Sequence, residues 1–201
     1  MENTMNLGFF ASHRGTNMQS VIDACNSGQL DAKPCVVISN NSDSEALARA
    51  RRENIPAYHL SSKTIPNPER LDESILLHLR WHNVDLVVLA GYMKPLGPVT
   101  LEAYKNRIIN IHPALLPKYG GLGMYGRHVH EAVITAGDTE TGVTIHLVDA
   151  EYDHGQILAQ CHIPVLLGDT PDSLAARVLE QEHRFLVETL QGIVTGNIRL
   201  P

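Results

Sequence analysis

The chain has 201 residues, 43% of them hydrophobic, with a formal net charge of -6 and a pI near 6.0. That length suits one well-buried core and is short for two, so a single domain over residues 1–201 is expected. The acidic balance argues against general nucleic-acid binding, and no apolar run approaches the ~20 residues that span a bilayer.

The start, MENTMN, has neither the basic residues nor the apolar block of a signal peptide. Cys25, Cys35 and Cys161 lack the paired spacing of a zinc site or redox motif and read as reduced core residues. A cytoplasmic protein is expected, monomer or homodimer, with neither nucleic acid nor a membrane as partner.

Leu7 to Ala11 is a short apolar strand, followed by Ser12-His13-Arg14-Gly15-Thr16-Asn17 and a helical pattern at Met18, Val21, Ile22 and Ala24. Gly15 can take backbone angles closed to other residues, and the free N–H groups of the helix start suit a phosphate. An ordinary helix cap by Thr16 or Asn17 would give the same residues. Pro34 to Ser39 is a second strand, Asn40 to Asp43 caps a helix over Ser44 to Glu53, and Ala57 to Leu60 is a brief third strand.

The loop Ser61 to Pro68 precedes a helix from Glu69 to His82, with Leu71, Ile75, Leu76 and Leu79 on one stripe. Leu86 to Ala90 is apolar on both faces and ends in Gly91-Tyr92-Met93-Lys94-Pro95-Leu96. After a short helix around Val99 to Tyr104 comes Ile108-Ile109-Asn110-Ile111-His112-Pro113. As a strand, its period of two puts Asn110 and His112 on one face, and Pro113 ends it there. Ligands of open parallel sheets bind at that carboxyl edge, although a buried Asn and His satisfied by backbone are the bland alternative.

Lys118 to Arg127 is rich in glycine and suits a flap over a site or a plain surface loop. His128 to Ala136 is a helix ended by Gly137. Thr141 to Val148 and Gln156 to Pro164 are strands flanking Asp149 to Gly155, a segment that a hairpin turn alone would explain. From Thr170 a capped helix runs to about Val194. The alternation predicts an α/β, Rossmann-like fold: a mainly parallel twisted sheet with helices on both faces and the last strands free to run antiparallel.

The segments SHRGTN, VVLAGYMKPLGP, NIHPALLPKYGG and DAEYDHG, in this order and over nearly the whole chain, resemble the folate-dependent formyltransferase family. The resemblance implies a formyl transfer from 10-formyltetrahydrofolate, as cosubstrate, to the amine of 5'-phosphoribosylglycinamide in purine (IMP) biosynthesis. It implies Asn110, His112 and Asp153 as the catalytic group and Gly15, Thr16 and Asn17 at the substrate phosphate. Glu182 would bind the ribose, and Met93, Lys94, Pro95 and Leu96, together with Asn110, would line the folate site. No metal is implied.

Several positions depart from the family pattern. Leu147 replaces a frequent aromatic residue and Ala150 a frequent acid, while His13 and Arg14 replace small or amide residues. No arginine clearly matches the one some members use near the folate tail, Arg70 being nearest.

In the implied chemistry Asn110 donates to the developing oxyanion, as can a protonated His112, and Asp153 keeps that imidazole charged. Amino-sugar nucleotide N-formylation is the alternative inside the enzyme class, and a noncatalytic nucleotide-binding module the alternative outside it. Formyl-folate hydrolases and methionyl-tRNA formylating enzymes carry an added domain for which 201 residues leave no room. A metal hydrolase ranks last, since His128 and His130 lack an i, i+4 ligand spacing.

Overall fold

The structure, a computed structural model, describes residues 4–201. Thirteen elements follow in order: β1 Met5–Phe10, α1 Thr16–Asn26, β2 Ala32–Ser39, α2 Glu45–Arg52, β3 Ala57–His59, α3 Pro68–Trp81 and β4 Leu86–Leu89. They continue with α4 Pro98–Ala103, β5 Ile108–His112, α5 Arg127–Ala136, β6 Glu140–Leu147, β7 Ile157–Pro164 and α6 Pro171–Val194. The strands form one sheet in the order β3-β2-β1-β4-β5-β6-β7. The pairs from β3 through β5 are parallel, and β5–β6 and β6–β7 are antiparallel, so the expected architecture holds.

The strand order reverses between β1 and β4, and open α/β sheets bind ligands at the carboxyl edge of such a switch point. Two apolar clusters cover the sheet. One joins Phe9, Val37 and Val88 to α1, α2, α5 and α6, and the other joins Phe10, Val87 and Leu89 to α3. β4 is buried along its length because it contributes to both. Ile109 and Ile111 enter the first cluster and Ile108 the second, so Asn110 and His112 share the Ile108 side of β5.

Sequence signals locate most element ends, with local corrections. Ser44, rather than Asn40 to Asp43, caps α2, its hydroxyl accepting from the Leu47 N–H, and Asn67 caps α3. Thr170 and Ser173 close a reciprocal capping box on α6. β1 and β2 begin two residues earlier than their apolar runs, because ladder pairing extends into polar flanks. The three cysteines are half-buried rather than core residues, and none is in a disulfide.

Buried Asp72 of α3 accepts from the Val99 and Thr100 N–H groups at 2.7 and 3.1 Å. It thereby caps α4 and anchors the far end of the Gly91–Gly97 loop. A Cβ on Gly97 would lie 2.2 Å from Asp72, so glycine is needed at that approach.

Candidate active site

Pro113 ends β5, and the turn after it is pinned to the antiparallel half of the sheet. Thr144 on β6 donates its hydroxyl to the Ala114 carbonyl at 2.7 Å and accepts from the Leu116 N–H at 3.1 Å. Gln160 on β7 donates to that hydroxyl and to the Leu116 carbonyl. Lys118 and the Tyr119 hydroxyl both donate to Asp138, fixing Tyr119 against the core.

His112 is buried, and its Nε2 lies 2.6 Å from the Tyr119 carbonyl oxygen. A carbonyl only accepts, so Nε2 carries a hydrogen and Nδ1 is the site where a proton comes and goes. Nδ1 faces Asp153 Oδ2 at 3.6 Å. Burial pushes the imidazole below its ordinary value; Asp153 and the Tyr119 carbonyl act the other way without overcoming it. The expectation that Asp153 keeps His112 charged is therefore corrected, because desolvation in the closed turn outweighs one neighbouring carboxylate.

Asp153 belongs to the β6–β7 hairpin, which is antiparallel as a turn reading requires, yet it folds back to the end of β5. It adopts a positive φ of 55°. A Cβ on Gly155 would stand 1.9 Å from the Leu147 carbonyl oxygen, so glycine permits the hairpin to close this tightly. Burial alone would raise the Asp153 carboxyl, but contacts with His146, His112 and the Gly121 N–H outweigh it and hold it low. That N–H donates to Oδ2 at 3.0 Å, tying the glycine-rich segment to the site.

Asn110 Nδ2 lies 3.4 Å from Asp153 Oδ1 and 3.1 Å from Nε2 of His146. His146 was not singled out from the sequence. It stands directly opposite Asn110 in the β5–β6 ladder, as Thr144 stands opposite His112. The signal was the same alternation that marks β5, with Thr144 and His146 polar between Val143, Ile145 and Leu147.

The first turn joins this edge from β1. Ser12 N–H donates to the Gly91 carbonyl, and Ser12 Oγ accepts from the Met93 N–H at 2.8 Å and donates to Asn40. Gly15 is the cap residue of α1, left-handed at φ 66°, and no side chain caps the helix, which sets aside the cap by Thr16 or Asn17. Met93, Lys94 and Pro95 are exposed, whereas Leu96 is buried in the core. Arg70 is exposed on α3.

Glu182 is 8% exposed on α6 and accepts from Asn17 Nδ2 at 3.2 Å. Burial pushes its carboxyl up to about 7. Asn17 Oδ1, at the other end of that amide, is buried with no partner. Thus Asn110, His112 and Asp153 come together, and Asn17 and Glu182 form a second group. Among the described residues no cluster of three or more His, Cys, Asp or Glu is placed to hold a metal.

Residues 5–190 match the model of the formyl transferase family. Phosphoribosylglycinamide formyltransferase of Haemophilus influenzae is 41% identical over 189 residues, covering 94% of this chain and 87% of the relative. The enzyme of that name from Escherichia coli is 35% identical, with 98% and 90% covered. Glycinamide ribonucleotide transformylase 1 of Symbiobacterium toebii superposes with a TM-score of 0.90 at 36% identity, over 98% of this chain and 91% of that one. A formyltetrahydrofolate deformylase from Pseudomonas syringae shares the fold, with a TM-score of 0.87 at 24% identity, so the fold alone does not select a reaction.

Proposed function

Because the chain belongs to the formyl transferase family, we propose that it moves a formyl group from 10-formyltetrahydrofolate to the amine of 5'-phosphoribosylglycinamide, a step of purine synthesis. Residues 1–201 act as a single formyltransferase domain. The convergence of Asn110, His112 and Asp153 at the edge that also carries the Gly15 turn is the observation that supports this reading most.

In the reaction the acceptor amine forms a bond to the formyl carbon, the bond from that carbon to the folate nitrogen breaks, and the amine proton passes to that nitrogen. Asn110 donates an amide N–H to the developing oxyanion. His112 takes or gives a proton at Nδ1, and Asp153 lowers the energy of the charged ring while it lasts. Because both ring nitrogens already face acceptors, any hydrogen bond from His112 to the oxyanion uses the looser Nδ1 side.

The exposed run Met93 to Pro95, together with the Leu96 backbone and Asn110, offers an apolar and main-chain edge for the folate. Gly15, Thr16 and Asn17 supply first-turn N–H groups to the acceptor phosphate. The Asn17–Glu182 corner takes the ribose hydroxyls, and it favours the ribonucleotide over an amino-sugar nucleotide.

The test incubates the protein with 10-formyltetrahydrofolate and either glycinamide ribonucleotide or amino-sugar nucleotides, following release of tetrahydrofolate. Turnover with the ribonucleotide supports the reading; turnover confined to an amino sugar, or none with any amine, overturns it.

Gly15→Val should weaken acceptor binding far more than folate binding. A Cβ there lies 2.7 Å from that of Ala46, and φ is positive, so the substitution should also cost on the order of 1–3 kcal/mol of stability. Calorimetry with each ligand and a thermal melt check both parts; equal loss of both ligands in a folded variant contradicts the phosphate assignment.

Glu182 accepts hydroxyl hydrogens best as a carboxylate, so the KM for the ribonucleotide should rise as pH falls below about 7. Glu182→Gln should raise KM by ~10-fold at pH 8 with little change in kcat, and remove that pH dependence. The raised pKa means the folded state binds its proton more tightly. Its stability contribution is therefore present in acid and lost as pH rises through about 7. The Gln variant should melt higher than the parent at pH 8 and alike at pH 4; an unchanged KM would return Glu182 to a packing role.

A further inference from the structure

His146 is almost wholly buried, with a side chain 2% exposed. Its Nδ1 lies 2.8 Å from the Leu147 carbonyl oxygen, which can only accept, so Nδ1 carries the hydrogen. In the neutral ring Nε2 is then a lone pair, and it faces Asn110 Nδ2 at 3.1 Å; only the doubly protonated ring would turn Nε2 into a donor to Asp153, the contact that lowers that carboxyl. Asp153 Oδ1, a second acceptor, lies 3.5 Å from Nε2 and 3.4 Å from Asn110 Nδ2.

The amide of Asn110 thus sits between two acceptors, and only one orientation satisfies it. With the nitrogen inward, one hydrogen goes to His146 and the other remains loosely held near Asp153. With the amide turned over, its oxygen would confront a lone pair and a carboxylate.

We infer that His146 is a positioning residue for the formyl transfer. Its Nε2 fixes one hydrogen of the Asn110 amide so that the other is presented to the oxyanion. The inference rests on the proposed reaction. It follows from the ladder, since Asn110 and His146 are direct partners across β5 and β6 and their side chains leave the sheet on the same side.

His146→Phe keeps a ring but removes the acceptor, whereas Gln can offer a carbonyl oxygen to Asn110. The Phe variant should lose about 10- to 100-fold in kcat with both KM values nearly unchanged, and the Gln variant should recover most of that loss. Asn110→Ala should be costly in the parent and Gln backgrounds and nearly free in the Phe background.

Equal losses for Phe and Gln, or an Asn110→Ala cost that is the same in all three backgrounds, would overturn the inference. Should the Phe variant not fold, nitrogen-15 NMR of the unmodified protein decides: a hydrogen on Nδ1 and none on Nε2 supports it, and the reverse tautomer refutes it. Absence of formyl transfer by the parent would instead overturn the functional reading, which the tautomer measurement does not touch.

Discussion

Asp153→Asn should lower kcat by ~100-fold or more while leaving the affinities for both ligands close to those of the parent. The substitution keeps the shape of the side chain and its reach to the Gly121 N–H, but it removes the only carboxylate within 4 Å of His112 among the described residues. Burial already favours the neutral imidazole, so the transient imidazolium depends on that charge more than it would in an open cleft. Steady-state kinetics with calorimetric binding constants checks this. A kcat within a few-fold of the parent would make Asp153 a residue of the hairpin and no more.

Asn110→Asp should be more damaging still, with kcat falling by ~1,000-fold. The exchange is nearly isosteric, yet it replaces the amide donor with a carboxylate. Asp153 Oδ1 lies 3.4 Å from the present amide nitrogen, and the Nε2 lone pair of His146 lies 3.1 Å away. Two carboxylates at that distance repel each other, and the group relieves this by taking up a proton as pH falls. The variant should consequently show a kcat that rises as pH falls, opposite to a simple loss of donor. Asn110→Ala, which removes the donor without adding charge, should lose less and lack that dependence; equal pH profiles for the two would contradict the close packing of this group.

Much of this site is legible in the sequence. The alternation in β5 and the stop at Pro113 place Asn110 and His112 from local chemistry alone, and the cap of α6 follows from Thr170. Asp153 came only through the family resemblance, because its approach to β5 depends on a hairpin whose fold-back no local pattern reveals. His146 carried a visible alternation, but its partner is set by the β5–β6 register, a long-range property.

The burial of Glu182 likewise depends on α6 packing against α1, and sequence could not distinguish that face from solvent. The downward direction of the His112 shift is hidden from the sequence for a related reason. A neighbouring charge can be read from a motif, whereas the desolvation that opposes it exists only once the Tyr119 turn closes over the ring.

That Asp153 works through His112 is tested most directly by titrating the His112 ring by NMR in the parent and in Asp153→Asn. The ring should titrate below the ordinary 6.5 in the parent and lower still in the variant, since the opposing carboxylate is gone. A parent ring that titrates above its ordinary value, or a variant whose titration does not move, would contradict it.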